Sequence, residues 1–572
     1  MPSKDVFFPY GISNFAQVVN QGYVFVDKTI YLEKLELQKQ KFVSFLRPRR
    51  FGKSLFISLL EYYYDTFYKE HFVKLFGKFY IGQNSTPFAN SYRILYFNFS
   101  GIDTSTTENS RKSFNLSVKA SLERFFVKYS NFSSRHQETI RQSQDAEEML
   151  TLLFQTYTDT FPVYLLIDEY DHFTNEILTR NLEEFKVSIS QNGYVRKFYE
   201  VIKNASQQGI VDRIFITGVS PITLDSLTSG FNILKHLSHE EEFHSMLGFC
   251  EEEVRSLLRL VLESPQKEES IMQDLHYYYN GYRFHPTCPN NIYNPDMVLY
   301  FLEHFKKKQT YPRQMLDPNI MPDYGKLKKM FEIADWKKNK QVLEEVLEKE
   351  TITTELIYQF HFENGGGKKE FINFLYYLGN LTMQEEDIGG WIVFRIPNKV
   401  IENLYWQYYA HLLEQDAELP QTTETIPKAI RLMALSGNPQ AFFEELEKLL
   451  QALSSRDFRK FDEKHIKMAI IALLIQANIF EIKSEREISK GGYLDLELYI
   501  RPNNFREHHQ FALEIKYLKK EQESLLKEVM EEAKAQIKNY YQKDIVLQNK
   551  NLLHLIAVVI LKDKVYWEEV KV

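Results

Sequence analysis

The sequence predicts a multidomain α/β protein, and three observations predict it. Short apolar runs alternate with helical stretches through the first ~230 residues, the pattern of a parallel sheet covered on both faces. From about Ser238 to Arg459, long charged, helix-favouring stretches take over. The last ~110 residues read helix, three strands, helix, strand, which is a second α/β core.

The elements follow in order. Lys41–Leu46 is the first strand, and a helical stretch runs on from Gly52 to about Phe67. Arg93–Phe99, Val163–Ile167 and Arg213–Thr217 are the next strands, with helices between them. In the middle, Trp336–Lys349 is a charged helix, Asn364–Lys369 a glycine-rich turn or linker, and Trp391–Pro397 the one short strand expected there. At the end, a helix over Lys464–Asn478 precedes an extended stretch, Ile479–Ile488, and strands Tyr493–Ile500 and Gln510–Lys516. A helix over Glu521–Tyr541 then leads to the apolar strand Leu552–Leu561. The expected domains are 1–237, a helical lid at 238–345, a mostly helical connector at 346–460, and 461–572.

Composition narrows the function classes. The 572 residues carry 70 Lys+Arg against 77 Asp+Glu, a net charge of -7, which excludes a polycation that coats nucleic acid non-specifically. With 44 Phe and 36 Tyr the chain has apolar surface enough to fold. Two cysteines, Cys250 and Cys288, build neither a disulfide framework nor a four-cysteine zinc site, and their scarcity suits a reducing cytosol. The start shows no secretory pattern, and Leu552–Leu561, the longest apolar stretch, is about half of a membrane span. A cytoplasmic protein without a membrane partner is expected.

Arg47-Pro-Arg-Arg-Phe-Gly-Lys-Ser54 follows a strand and opens a helix. At such a junction the N–H groups of Arg50, Phe51, Gly52, Lys53, Ser54 and Leu55 face an anion, Lys53 reaches the outer phosphates of ATP, and Ser54 coordinates Mg²⁺. Arg47 stands where the usual first glycine would be. Val163–Glu169 is an apolar strand that ends in two acids: Asp168 would hold Mg²⁺ through water and Glu169 would orient or deprotonate the attacking water. Paired acids at a strand end also serve as plain helix caps, so the pairing with Lys53 is what favours the P-loop NTPase reading. Thr217 or Ser220, after the next strand, would sense the terminal phosphate.

These strings, with Tyr23-Val-Phe-Val-Asp-Lys-Thr29, Ile167-Asp-Glu-Tyr-Asp171 and Thr217-Gly-Val-Ser-Pro-Ile222, closely resemble the bacterial AAA-ATPase-like family. The resemblance continues through Tyr279–Phe284, Tyr293–Pro295 and Ile396–Asn398, and an arginine at the first motif position is normal in that family. It implies ATP as ligand and a C-terminal PD-(D/E)XK nuclease-superfamily domain, a restriction-endonuclease-like core.

The C-terminal block carries residues suited to that chemistry. Glu514 and Lys516 are two apart on one strand and so face the same side, and Asp495 lies on the strand before. Asp495, Glu514 and the Ile515 carbonyl would bind Mg²⁺, and Lys516 would position a water or stabilise charge on a phosphate. Glu485 is a further candidate acid, and Gln536 matches a residue type found near such sites. Glu and Lys alternate on many solvated strands, so the surrounding element order and the resemblance carry this reading.

Other signals read as structure. Tyr62–Tyr64 and Tyr277–Tyr279 suit packed helix faces, His508-His509 a solvated hairpin, and Lys306–Lys308 with Lys337-Lys338 exposed helix surface. The expected function is an ATPase whose nucleotide state gates a Mg²⁺-dependent nuclease acting on DNA or RNA. Its rival is an ATP-dependent scaffold whose nuclease-like domain only binds a partner or nucleic acid, and a homo-oligomeric motor is left open.

Overall fold

A computed structural model describes residues 6–129, 134–190, 192–221, 231–319, 336–358, 360, 367–417, 425–454, 462–488, 491–501 and 508–572. The chain forms two compact units, one of Met1–Gln309, Leu316–Val342 and Thr351–Lys399, the other of Thr310–Met315, Leu343–Glu350 and Val400–Val572.

The first unit is built on five parallel strands: β1 (Phe42–Leu46), β2 (Arg93–Asn98), β3 (Val163–Asp168), β4 (Val211–Gly218) and β5 (Lys235–His236). Their order is β2-β3-β4-β1-β5. Every residue of β3 is buried, as an apolar strand covered by helices on both faces requires. Because all five strands run the same way, the loops after β1, β3 and β4 emerge at one edge. Phe45 pairs with Thr217 and Ile167 with Ile216, which sets Asp168 level with the phosphate-binding string.

The middle of the chain holds more sheet than expected. Besides Trp391–Arg395 (here β8), Thr351–Glu355 (β6) and Thr382–Glu386 (β7) form an antiparallel sheet in the order β6-β8-β7. Thr-Met-Gln-Glu-Glu is helix-favouring by composition, and cross-strand pairing with β8 overrides that preference. Of the turn or linker expected at Asn364–Lys369, Asn364–Gly366 lie outside the described residues, Gly367 is a helix N-cap, and Lys368 and Lys369 open the helix Lys368–Tyr377.

In the second unit, β9 (Phe480–Glu487), β10 (Tyr493–Ile500), β11 (Gln510–Leu518), β12 (Leu553–Leu561) and β13 (Lys564–Glu569) form a mixed sheet in the order β13-β12-β11-β10-β9. Only β11 and β12 pair in parallel. The Leu526–Lys543 helix supplies that crossover and lays Met530, Ala533, Ile537 and Tyr540 on the sheet. The Glu463–Ile475 helix, buried from Ile466 to Ile475, packs against β9 and β11. The edge strand β13 was not expected, because its charged, exposed residues lack the apolar run that marked β12. His508, expected to be solvated, is buried against Phe480, and His509 meets His554 at 2.7 Å. Tyr63, Tyr64, Tyr278 and Tyr279 are buried. Among the described residues no helix is long and apolar enough to cross a membrane.

Candidate functional sites

In the first unit the Lys53–Tyr64 helix starts directly after the loop from β1. Gly52, its N-cap, has φ +89°, and Arg50 has φ +67°, so two residues of one short loop sit in left-handed conformations. Such backbone turns the N–H groups of the first helical turn outward, and no side chain caps them. Next to this helix start lies a cavity of about 460 Å³, whose lining includes Gly52, Lys53, Ser54 and Glu169 together with Ile12, Leu299 and other apolar groups. A pocket whose lining joins an anion-binding helix start to apolar groups suits a phosphorylated ligand with a flat, poorly solvated head.

Lys53 is buried and donates to the carbonyls of Arg47 (3.0 Å) and Pro48 (2.9 Å). Burial pulls its pKa down, against the attraction of Glu169, Asp168 and Asp171. Asp168 is fully buried and its pKa is pushed up to about 6, chiefly by desolvation, with the Ser54 hydroxyl beside it acting the other way. Its Oδ1 accepts from the Glu169 N–H at 3.0 Å, while Oδ2 is buried without a hydrogen-bond partner among the described residues. An orphaned carboxylate oxygen beside a serine hydroxyl fits a divalent cation. Glu169, at φ +49°, meets His172 Nδ1 at 2.8 Å, and His172 Nε2 lies 3.2 Å from Glu176. Burial raises Glu169, but the His172 contact and the Lys53 charge outweigh it and leave its pKa below the ordinary value. His172 is raised to about 9 by those two carboxylates.

Other predicted site residues do structural work. The Thr217 hydroxyl donates to Phe45 O at 2.7 Å, tying β4 to β1 rather than pointing at the cavity. Ser220 is buried, and Asp171 takes its N–H (2.7 Å) and hydroxyl (3.1 Å) together with the Val219 N–H (3.0 Å). The Phe51 ring is buried edge-on against Tyr282 and Phe284, leaving its backbone for a ligand. Arg47, in the position usual for glycine, buries its guanidinium between the rings of Phe45 and Phe284 and donates to the carbonyls of Leu46, Ser238, Phe243 and His244. Of the middle strings, Asn294 supports the loop by donating to Arg49 O, while Gly281, at φ +104°, lets the backbone of Pro397 approach where a Cβ would lie 1.8 Å from its carbonyl oxygen.

The second unit brings together Asp495, Glu514 and Lys516. Lys516 Nζ donates to Glu514 Oε1 at 2.9 Å, and Asp495 Oδ2 accepts the Ile515 N–H at 2.8 Å. Glu514 is 1% exposed, and its Oε2 is buried with no partner among the described residues. Desolvation and then the Asp495 charge push its pKa up to about 7. Two residues that sequence reasoning passed over complete the centre. Lys467, in the buried Ile466–Ile475 stretch of the Glu463–Ile475 helix, binds Asp495 Oδ1 at 2.9 Å and pairs with Glu485. Glu463, at the start of that helix, is raised by burial and by Asp495. Four carboxylates thus face two ammonium groups, a deficit that one divalent ion would balance. As they stand, no three His, Cys, Asp or Glu side chains among the described residues converge tightly enough to hold an ion, so water and the Ile515 carbonyl would complete its shell. Gln536 donates to Tyr540 at 2.7 Å on its own helix.

Residues 9–228 match the family model described as predicted AAA-ATPase, and residues 461–570 match that of the PD-(D/E)XK nuclease superfamily. The chain thus carries an AAA-ATPase-like region and, C-terminal to it, a PD-(D/E)XK nuclease-superfamily region. Asp168 and Glu169 lie within the first match, the cavity takes part of its lining from beyond it at Met246 and Leu299, and Asp495, Glu514 and Lys516 lie within the second match. An uncharacterized protein in the vnfD 5' region of Azotobacter chroococcum mcd 1 is 26% identical over 298 residues, 51% of each chain. The chain therefore spans about half the length of that curated relative. A Walker-type ATPase of Pyrococcus abyssi overlays 66% of the chain and 94% of its own, at 11% identity and a TM-score of 0.39.

Proposed function

We propose that the AAA-ATPase-like domain binds and hydrolyses ATP with Mg²⁺, and that its nucleotide state governs Mg²⁺-dependent cleavage of DNA or RNA by the C-terminal domain. The four-part division into ATPase domain, lid, connector and nuclease belongs to this proposal. The observation that carries the ATPase half is the cavity at an uncapped helix start, with Lys53 at its edge and a buried, partnerless Asp168 oxygen beside Ser54. In this reading Lys53 exchanges two loop carbonyls for the outer phosphates, and Ser54 and Asp168 hold the ion. Glu169 leaves His172 to orient the attacking water.

In the C-terminal domain, Asp495, Glu514 and the Ile515 carbonyl would hold Mg²⁺, which polarises the phosphodiester and lowers the pKa of a bound water. Lys516, now on Glu514 Oε1, would steady that water or the charge on the phosphate. Purified protein incubated with plasmid DNA and with RNA, with and without ATP and Mg²⁺, tests both halves. Lys53→Ala is expected to abolish ATP turnover and to alter cleavage. Asp495→Ala and Lys516→Ala are expected to abolish metal-dependent cleavage. Unchanged cleavage in the last two leaves a domain that only binds, and cleavage indifferent to ATP rejects the coupling.

A further inference from the structure

We propose that Lys467 permanently occupies a cation position in the C-terminal centre, so that the centre takes one divalent ion where its carboxylates alone would take two. The inference rests on the reading of this centre as a metal site and goes beyond it by assigning its stoichiometry.

Lys467 is anomalous in its own element. Its neighbours Ile466, Met468, Ala469 and Ile470 are buried, and its own side chain is only 11% exposed. An ammonium is costly on such a face unless carboxylates meet it, and here they do. Its Nζ contacts Glu485 and lies 2.9 Å from Asp495 Oδ1, with Glu463 close enough to feel the same charges. Two carboxylates meet at one point with the charge of a third in range, an arrangement that draws a cation, and the lysine fills that point. Glu485 is held toward it from a left-handed backbone conformation, φ +50°, opposite Asp495 across the β9–β10 ladder.

The remaining oxygens describe a second position. Asp495 Oδ1 is spent on Lys467 and Oδ2 on the Ile515 N–H, while Glu514 Oε1 is spent on Lys516. Glu514 Oε2 alone is buried without a partner among the described residues. It marks the place of a single exchangeable ion. A lysine anchored in a packed helix cannot be diluted away, so its share of the positive charge in the centre is independent of free metal. Cleavage should then rise with Mg²⁺ with a Hill coefficient of one.

Calorimetric titration of the full chain with Mn²⁺, without nucleotide, tests this directly. The ions belonging to the centre are those lost when Asp495→Asn is added to each background. Wild type and Lys467→Arg should lose one ion and Lys467→Met two. Mn²⁺ should also raise the melting temperature of Lys467→Met more than that of wild type, because the metal restores the missing charge. Two ions in the wild type overturn the proposal whatever the variants do, and so does one ion in folded Lys467→Met. No ion lost in any background refutes instead the metal-centre reading beneath it.

Discussion

Removal of the Asp171 carboxylate should unfasten the loop after β4 and take nucleotide binding with it. Asp171 is 1% exposed and accepts from the N–H groups of Val219 and Ser220, from the Ser220 hydroxyl and from the Asn175 amide. Asp171→Ala strands two buried backbone donors, each costing about 1–3 kcal/mol, and forfeits the charge-assisted character of the set. A total of about 3–5 kcal/mol is expected, and for a unit of this size that lowers its melting temperature by on the order of 10 °C. Asp171→Asn keeps one carbonyl oxygen for the Ser220 N–H and should cost about 1–2 kcal/mol. Crowding sharpens the argument: a Cβ on Gly218 would lie 2.3 Å from Asp171 Oδ1, so the loop has no slack in which to find other partners. Differential scanning fluorimetry of both variants, with titration of a fluorescent ATP analogue, reads stability and binding together. An Asp171→Ala protein that melts with the wild type and binds the analogue equally well would refute the idea that this carboxylate holds the loop.

Two titrations follow from the buried acids and the histidine. Glu514, raised from 4.5 to about 7, binds its proton more tightly folded than unfolded, so its contribution to stability is complete below pH 4.5 and is lost as pH rises through 7. A metal must displace that proton, so Mn²⁺ affinity should climb about tenfold per unit up to pH 7 and then level off, with proton release seen in calorimetry at pH 6 and absent at pH 8. His172, raised to about 9 first by Glu169 and then by Glu176, stabilises the fold fully below pH 6.5 and loses that contribution as pH passes 9. Its ring resonances in NMR should titrate near 9 and move down in Glu169→Gln; a midpoint unaffected by that change would remove the Glu169 contact from the account.

Much of the architecture was legible because it depends on local pattern. The four main strands of the parallel sheet and the four expected strands of the second core announce themselves as apolar or alternating runs, and Gly-Lys-Ser at a strand-to-helix junction needs no partner to be recognised. The two Thr-rich and Glu-rich strands of the middle sheet did not, since only pairing with β8 makes them strands. Site roles divided in the same way. Lys53, Ser54 and Asp168 are adjacent to one ligand-sized cavity or to its acid, whereas Thr217 and Ser220, equally plausible by position, spend their hydroxyls inside the fold.

Sequence alone determined the kind of chemistry available, because residue type and spacing along one strand or one helix start set which groups can face the same way. Glu514 with Lys516, and Lys53 with Ser54, are pairs of this sort. Tertiary structure decided which charges meet. Lys467 and Asp495 are 28 residues apart, and Arg47 reaches the carbonyl of His244, 197 residues away. Contacts of that range depend on how helices and sheets pack, and packing energy is summed over many side chains, so no local string records it.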